Sequence, residues 1–200
     1  MQDLANQLYQ QFIHTSFIEW VATISGFLCV YLAAKQNIFT WPISILSVLL
    51  YLYIFYQNKL YGASCLQLYF LSTAIYGWYY WNKRSKAAKK QLTSFALKDQ
   101  FLTLCVITIL ALISGYVLDN YTDTDVPYID GLCTSISLVA QFLMTRKVIQ
   151  HWILWIIVDI CYIPLYYYKD LLITAILYLT LAVLSINGFR EWKKSVRNFQ

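Results

Sequence analysis

Long apolar runs separated by short polar stretches dominate the sequence. Seven of these runs approach the length of about 20 residues that a helix needs to cross a hydrocarbon core of about 30 Å. They cover residues 17–34, 39–56, 61–81, 101–118, 128–144, 148–167 and 171–188. The pattern predicts an all-α membrane protein with seven transmembrane helices. Residues 1–15 are polar with spaced apolar positions, which predicts a short amphipathic helix at the membrane interface.

The composition points to the same class of protein. Of the 200 residues, 60% are hydrophobic and 12% are charged, which leaves too few polar residues to cover a soluble surface. The net charge of +5 does not indicate a nucleic-acid partner, because the basic residues lie between the apolar runs. The five cysteines lie inside apolar runs without a CxxC pair. They are typical of small hydrophobic positions, so no disulfide, metal site or cofactor is predicted.

The basic residues are distributed unequally between the two sides of the membrane. Seven spans place the termini on opposite sides, and 13 of the 15 Lys and Arg residues fall on the side of the C-terminus. Basic loops stay in the cytoplasm. The prediction is therefore an N-terminus outside and a C-terminus in the cytoplasm.

The chain matches itself when it is shifted by 111 residues. The aligned positions include Trp41 with Trp152, Gly77 with Gly188, and Trp81 with Trp192. Each half holds three spans, and the fourth span restores the orientation, so the halves are predicted to be parallel copies. Parallel repeats occur in transporters that bind substrate at the repeat interface. Duplication for stability alone, in a bundle that transports nothing, is the alternative.

The repeat divides the chain into a series of segments. They are an amphipathic segment (1–15), repeat one (17–83), a basic linker with helix four and an acidic outer loop (84–127), repeat two (128–194) and a basic cytoplasmic tail (195–200).

The sixth apolar run carries a carboxyl group in its interior. Trp152, Trp155, Asp159, Tyr162 and Tyr166 are spaced three, four, three and four residues apart, which puts them on one face of a helix. An ionisable residue near the middle of a span indicates function. Because aromatic faces attract organic cations, this face suits a flat, positively charged heteroaromatic ligand. The alternative is an aromatic packing stripe whose acid is satisfied by a neighbouring helix.

Six further polar residues are candidates for the substrate path, one of which is Gln141 in the fifth span. Gln67 and Tyr178 occupy equivalent positions of the two halves and would bind either a ligand or a neighbouring helix. Asn187 is a candidate ligand contact or a device at a helix C-terminus. Glu19 and Asp130 are equivalent acids at the outer ends of spans one and five. They would attract cations to an outer mouth, or simply be solvated acids at helix starts.

Two positions of the aromatic face differ between the halves. Ser44 and Val48 correspond to Trp155 and Asp159. A duplicated scaffold that differs at adjacent turns of one face is expected to be specialised there, so Trp155 and Asp159 are the principal predicted ligand residues, with Trp152 in support. An enzyme is disfavoured, since HExxH, GxSxG, a glycine-rich phosphate loop and paired intramembrane carboxylates are all missing from the sequence.

Several motifs taken together resemble the PnuC family of vitamin transporters. They are TWP at 40–42, FYQNKLYGASCLQ at 55–67, YGWYYW at 76–81, LMTRK at 143–147, WILW at 152–155 and NG-x-x-x-W at 187–192. The resemblance implies a bacterial inner-membrane homotrimer with seven helices per chain in a 3+1+3 arrangement, similar to the SWEET sugar transporters. It implies facilitated diffusion of a vitamin or its precursor, which a cytosolic vitamin kinase then traps. The family's ligand contacts map onto Trp152, Trp155, Gln67 and Asn187.

Asp159 is a departure from the nicotinamide riboside transporters of this family, which tend to have Asn after the WxxW motif. Nicotinamide riboside and thiamine both carry a fixed positive charge on an aromatic ring, so either ligand fits an acid among aromatic side chains. The short loops resemble the thiamine branch slightly more. Riboflavin, which is neutral, is a third candidate. A membrane receptor or assembly subunit without transport activity is the alternative outside the transporters.

Overall fold

The computed structural model describes residues 16–57, 61–86, 92–122, 124–168 and 172–197. Seven helices occupy these ranges. They are α1 (Phe17–Ala34), α2 (Thr40–Gln57), α3 (Tyr61–Lys86), α4 (Leu97–Tyr121), α5 (Pro127–Thr145), α6 (His151–Tyr168) and α7 (Leu172–Arg197). Each predicted span coincides with one helix, and the all-α prediction is confirmed. The predicted amphipathic segment at 1–15 lies outside the described residues.

The sixth helix begins later than its apolar run. The apolar run begins at Val148, but the helix begins at His151, because Val148 lies in the connection between α5 and α6. Thr93 pairs with this connection, since its N–H donates to the Lys147 carbonyl and its own carbonyl accepts from Ile149 N–H, both at 2.9 Å. A run of apolar residues indicates that a segment is buried, and a buried turn gives the same pattern as a helix.

Four helices, namely α1, α2, α4 and α5, are long and apolar enough to cross a membrane by length and composition within the described residues. Tyrosines and tryptophans lower the hydropathy of α3 and α6, whereas α7 is apolar over most of its length and ends in a charged stretch at 190–197. Large apolar side chains are nevertheless exposed on the outside of the bundle, for example Leu46, Ile109, Leu112, Ile153 and Val183. Such surfaces are expected where helices face lipid.

Six helices pack in a closed ring. The order of contacts around the ring is α1, α2, α3, α5, α6, α7 and back to α1. Helix α4 lies outside this ring and packs against α5. Glycines allow that close approach, because a Cβ at Gly131 would lie 2.6 Å from the backbone nitrogen of Gly115. Ser114 fixes the contact by donating to the Gly131 carbonyl at 2.9 Å.

Tryptophans make matching contacts in the two halves of the ring. Trp41 packs over Gly77, and Trp152 packs over Gly188, where a Cβ would lie 2.6 Å from the indole. Two further indoles cross between the halves. Trp81 Nε1 donates to the Thr145 carbonyl at 3.1 Å, and Trp192 Nε1 donates to the Ala33 carbonyl at 3.0 Å. Carbonyls in the last turn of a helix have no partner within it. The two indoles therefore cap the ends of α5 and α1.

Candidate functional site

A cavity of about 190 Å³ lies inside the ring, between α1, α2, α5, α6 and α7. We refer to it as the inner cavity. Four predicted site residues line it, namely Trp152, Trp155, Asp159 and Tyr178. Other lining residues are Val30, Ser44, Gln141, Leu181 and Ser185. Three residues of the aromatic face predicted from the spacing of α6, namely Trp152, Trp155 and Asp159, therefore line this cavity.

Asp159 is the acidic group of the inner cavity. Its side chain is only 3% exposed. It accepts one hydrogen bond, from Ser185 Oγ to Oδ2 at 3.1 Å, and forms no ion pair with a described residue. Removing a carboxylate from water costs several kcal/mol unless an opposite charge or hydrogen bonds compensate. The site is thus complementary to a cation.

Trp152 lies between the inner cavity and a cluster of aromatic rings. Its indole is 2% exposed, and its ring centroid lies 4.6 Å from that of His151 and 5.8 Å from that of Trp192. The Trp152 Nε1 group has no hydrogen-bond partner among the described residues. His151 is fully buried, and its Nδ1 lies 2.7 Å from the Val148 carbonyl. The burial of His151 could not be predicted from the sequence, since a histidine at the end of a predicted span is as easily exposed as buried.

A second, larger space of about 690 Å³ lies between α1, α2, α3, α6 and α7. We refer to it as the outer cavity, because its lining comes from the helix ends predicted to face outside. Glu19, Gln67 and Tyr178 line it. The residues shared with the inner cavity are Val30, Tyr178 and Leu181. The two spaces are therefore neighbours, and Tyr178 belongs to both.

Three tyrosines form a stack beside these cavities. The Tyr178 ring centroid lies 4.9 Å from that of Tyr162 and 5.1 Å from that of Tyr166, which is nearly parallel to it. Tyr162 is not among the lining residues of either cavity. It instead supports Tyr178, which is the member of the stack that both cavities share.

Three of the predicted residues occupy more peripheral places. Asn187 is exposed and lines neither cavity. Asp130 also lines neither cavity and accepts a hydrogen bond from Thr124 Oγ1 at 2.9 Å. Glu19 borders the outer cavity but also caps α1, since Ser16 N–H donates to its Oε2 at 2.6 Å. The ligand role of Asn187 and the outer-mouth role of the two acids stay predictions.

Metal chemistry has no site in the described part of the chain. Within these residues, no group of three His, Cys, Asp or Glu side chains could hold a metal ion. The chemistry that the cavities offer is charge complementarity, aromatic contact and hydrogen bonding.

Comparison with known proteins identifies the family. The sequence profile of the nicotinamide mononucleotide transporter family matches residues 16–194. The chain belongs to this family. It is thus a multi-pass membrane protein whose relatives are transporters and not enzymes, and the resemblance to the PnuC family is confirmed.

Individual relatives cover nearly the whole chain. The nicotinamide riboside transporter PnuC of Escherichia coli (strain K12) is 28% identical over 208 residues, which cover 91% of this chain and 87% of that protein. The riboflavin/roseoflavin transporter RibM of Streptomyces davaonensis is 24% identical over 184 residues, covering 90% and 85%. The crystal structure of the vitamin B3 transporter PnuC aligns with a TM-score of 0.77 and 25% identity, covering 98% of this chain and 89% of that one.

Proposed function

We propose that this protein takes up a small vitamin or vitamin precursor with a positively charged aromatic ring, namely nicotinamide riboside or thiamine. One observation carries the proposal: Asp159 is buried at the wall of the inner cavity with no counter-charge among the described residues. A cationic ring would compensate the desolvated carboxylate. The faces of Trp155 and Tyr178 would add cation–π attraction, worth about 2 kcal/mol when the contact is desolvated.

The path of the ligand follows from the two adjoining cavities. The ligand enters through the outer cavity, past Gln67 and Glu19, and its charged ring reaches Asp159 in the inner cavity. Tyr178 contacts the ligand in both spaces. The tryptophans at the far end of the ring close the inner cavity on its other side. As the family resemblance implies, transport is by facilitated diffusion, and phosphorylation by a cytosolic vitamin kinase traps the ligand.

The architecture is part of the same proposal. Two parallel three-helix repeats, α1–α3 and α5–α7, are joined by α4 in a 3+1+3 order. The matching tryptophan contacts over Gly77 and Gly188 support this. The N-terminus lies outside and the C-terminus in the cytoplasm, as the basic residues indicate. The bacterial inner membrane and the homotrimer are carried over from the family resemblance.

Riboflavin is a second candidate ligand. A relative that is a riboflavin/roseoflavin transporter favours it. A neutral flavin, however, would leave the buried Asp159 without an opposite charge. A cationic ligand therefore requires the negative charge of Asp159, whereas riboflavin does not.

Counterflow in liposomes tests transport and ligand class together. Purified protein is reconstituted in liposomes loaded with unlabelled nicotinamide riboside, thiamine or riboflavin, and uptake of the same labelled compound is measured. We expect exchange of at least one of the two cations and none of riboflavin, with protein-free liposomes as the control. Exchange of riboflavin alone would favour the second candidate. An absence of exchange with all three would overturn transport and favour a receptor or assembly subunit.

A further inference from the structure

Gln141 of α5 presents an amide to the inner cavity that has no hydrogen-bond partner among the described residues. It lines the inner cavity and is only 7% exposed. Its side chain forms no hydrogen bond with another described residue. Amide groups in native proteins are normally hydrogen-bonded to protein, to water or to a ligand. The amide therefore calls for a partner that enters the cavity.

Comparison of the two halves argues against a packing role. The residue that corresponds to Gln141 is Val30, and it lines the same cavity. The same contrast recurs at two other pairs of positions, which are Asp159 with Val48 and Ser185 with Ala74. At all three pairs the second half places a polar side chain in the inner cavity. Because an apolar side chain fills the equivalent place in the first half, packing alone does not require an amide at 141.

The inner cavity is small enough that Gln141 and Asp159, which both line it, would contact the same ring of a ligand. An apolar cavity of about 150 Å³ binds benzene, so a cavity of about 190 Å³ holds a single substituted aromatic ring. The remainder of a nucleoside-sized ligand then lies in the outer cavity, which is several times larger. Asp159 and Gln141 would act on the same ring, the first on its charge and the second on a substituent.

We propose that Gln141 is a specificity-determining residue that recognises a carboxamide substituent on the charged ring of the ligand. A glutamine side chain presents a carbonyl acceptor and an NH₂ donor side by side, and a primary carboxamide presents the complementary pair. Two hydrogen bonds would satisfy both amides inside the cavity. This inference rests on the proposed function and deepens it, because it selects a pyridinium carboxamide over a charged ring without an amide, such as the thiazolium of thiamine.

Titration calorimetry of the purified protein with nicotinamide riboside and with thiamine tests this role. The wild type is expected to prefer nicotinamide riboside. Gln141→Leu, which keeps the volume but removes the amide, should weaken nicotinamide riboside binding about tenfold and change thiamine binding less than about twofold. Gln141→Val carries the residue of the first half and serves if the leucine variant does not fold. Gln100→Leu, at an exposed site on α4, is the matched control and should leave both affinities unchanged.

Three results would overturn the inference. The first is an unchanged affinity for nicotinamide riboside in the folded Gln141 variants. The second is an equal loss for both ligands, which would assign Gln141 to the packing of the cavity. The third is a wild type that prefers thiamine. A wild type that binds neither cation would instead refute the proposed function, and this inference with it.

Discussion

Substitution of Gly188 by alanine should displace Trp152 from the wall of the inner cavity. The new Cβ would lie 2.6 Å from indole atoms Cζ2 and Cη2, whereas ordinary contact begins at 3.4 Å. The ring has little room to yield, because His151 and Trp192 pack against it. Overpacking costs about 1–3 kcal/mol, and the better helix propensity of alanine offsets about 1 kcal/mol of this. We expect a net destabilisation of about 1 kcal/mol and weaker ligand binding.

Thermal unfolding in detergent measures this effect. A thiol-reactive dye reports it as the rise in signal above that of the exposed Cys65, since Cys133 is buried until the protein unfolds. Gly26→Ala is the matched control, because its Cβ would meet Ser47 Oγ at an ordinary 3.4 Å, and its melting temperature should equal or exceed that of the wild type. Gly77→Ala should reproduce the loss in the first half. Equal melting temperatures for Gly188→Ala and Gly26→Ala would refute the close packing of Trp152.

Two other substitutions test ligand binding and the contact between the two halves separately. Ser185→Ala removes the hydrogen bond that orients the Asp159 carboxylate, so the affinity for a cationic ligand should fall severalfold; an unaltered calorimetric titration would contradict a role for Ser185. Trp192→Phe removes the donor to the Ala33 carbonyl and should lower stability by about 1 kcal/mol. The exposed Trp78→Phe is its control, and equal melting temperatures for the two would show that the indole bond contributes nothing measurable.

The number and places of the helices could be predicted because a membrane span requires a long apolar run. Helix ends were predicted less well. Helix α3 continues to Lys86 and α7 to Arg197, past the ends of their apolar runs. A helix can extend beyond the hydrocarbon core of the membrane, so the end of an apolar run does not mark the end of the helix. The apolar run extends to Val148 because an apolar residue in a buried turn looks the same in sequence as one in a helix.

The candidate site was predictable where one helix carries it. Trp155 and Asp159 share a face of α6 by spacing alone, and an acid in an apolar run is conspicuous. Gln141 and Ser185 come from α5 and α7, and only the folded ring brings them to the cavity that Asp159 also lines. Small and polar residues in apolar helices are equally typical of helix packing. The repeat does distinguish Gln141 and Ser185, because the equivalent positions in the first half hold apolar residues. It does not show which way either side chain points.

The most direct test of the account is the affinity of Asp159→Asn for nicotinamide riboside, measured by titration calorimetry against the wild type. Asparagine keeps the shape of the side chain and removes its charge. The account predicts a loss of about tenfold or more, or about 1.4 kcal/mol. Asp99→Asn removes an exposed carboxylate near the start of α4 and should leave the affinity unchanged. A folded Asp159→Asn protein that binds as tightly as the wild type would contradict Asp159 as the partner of a cationic ligand.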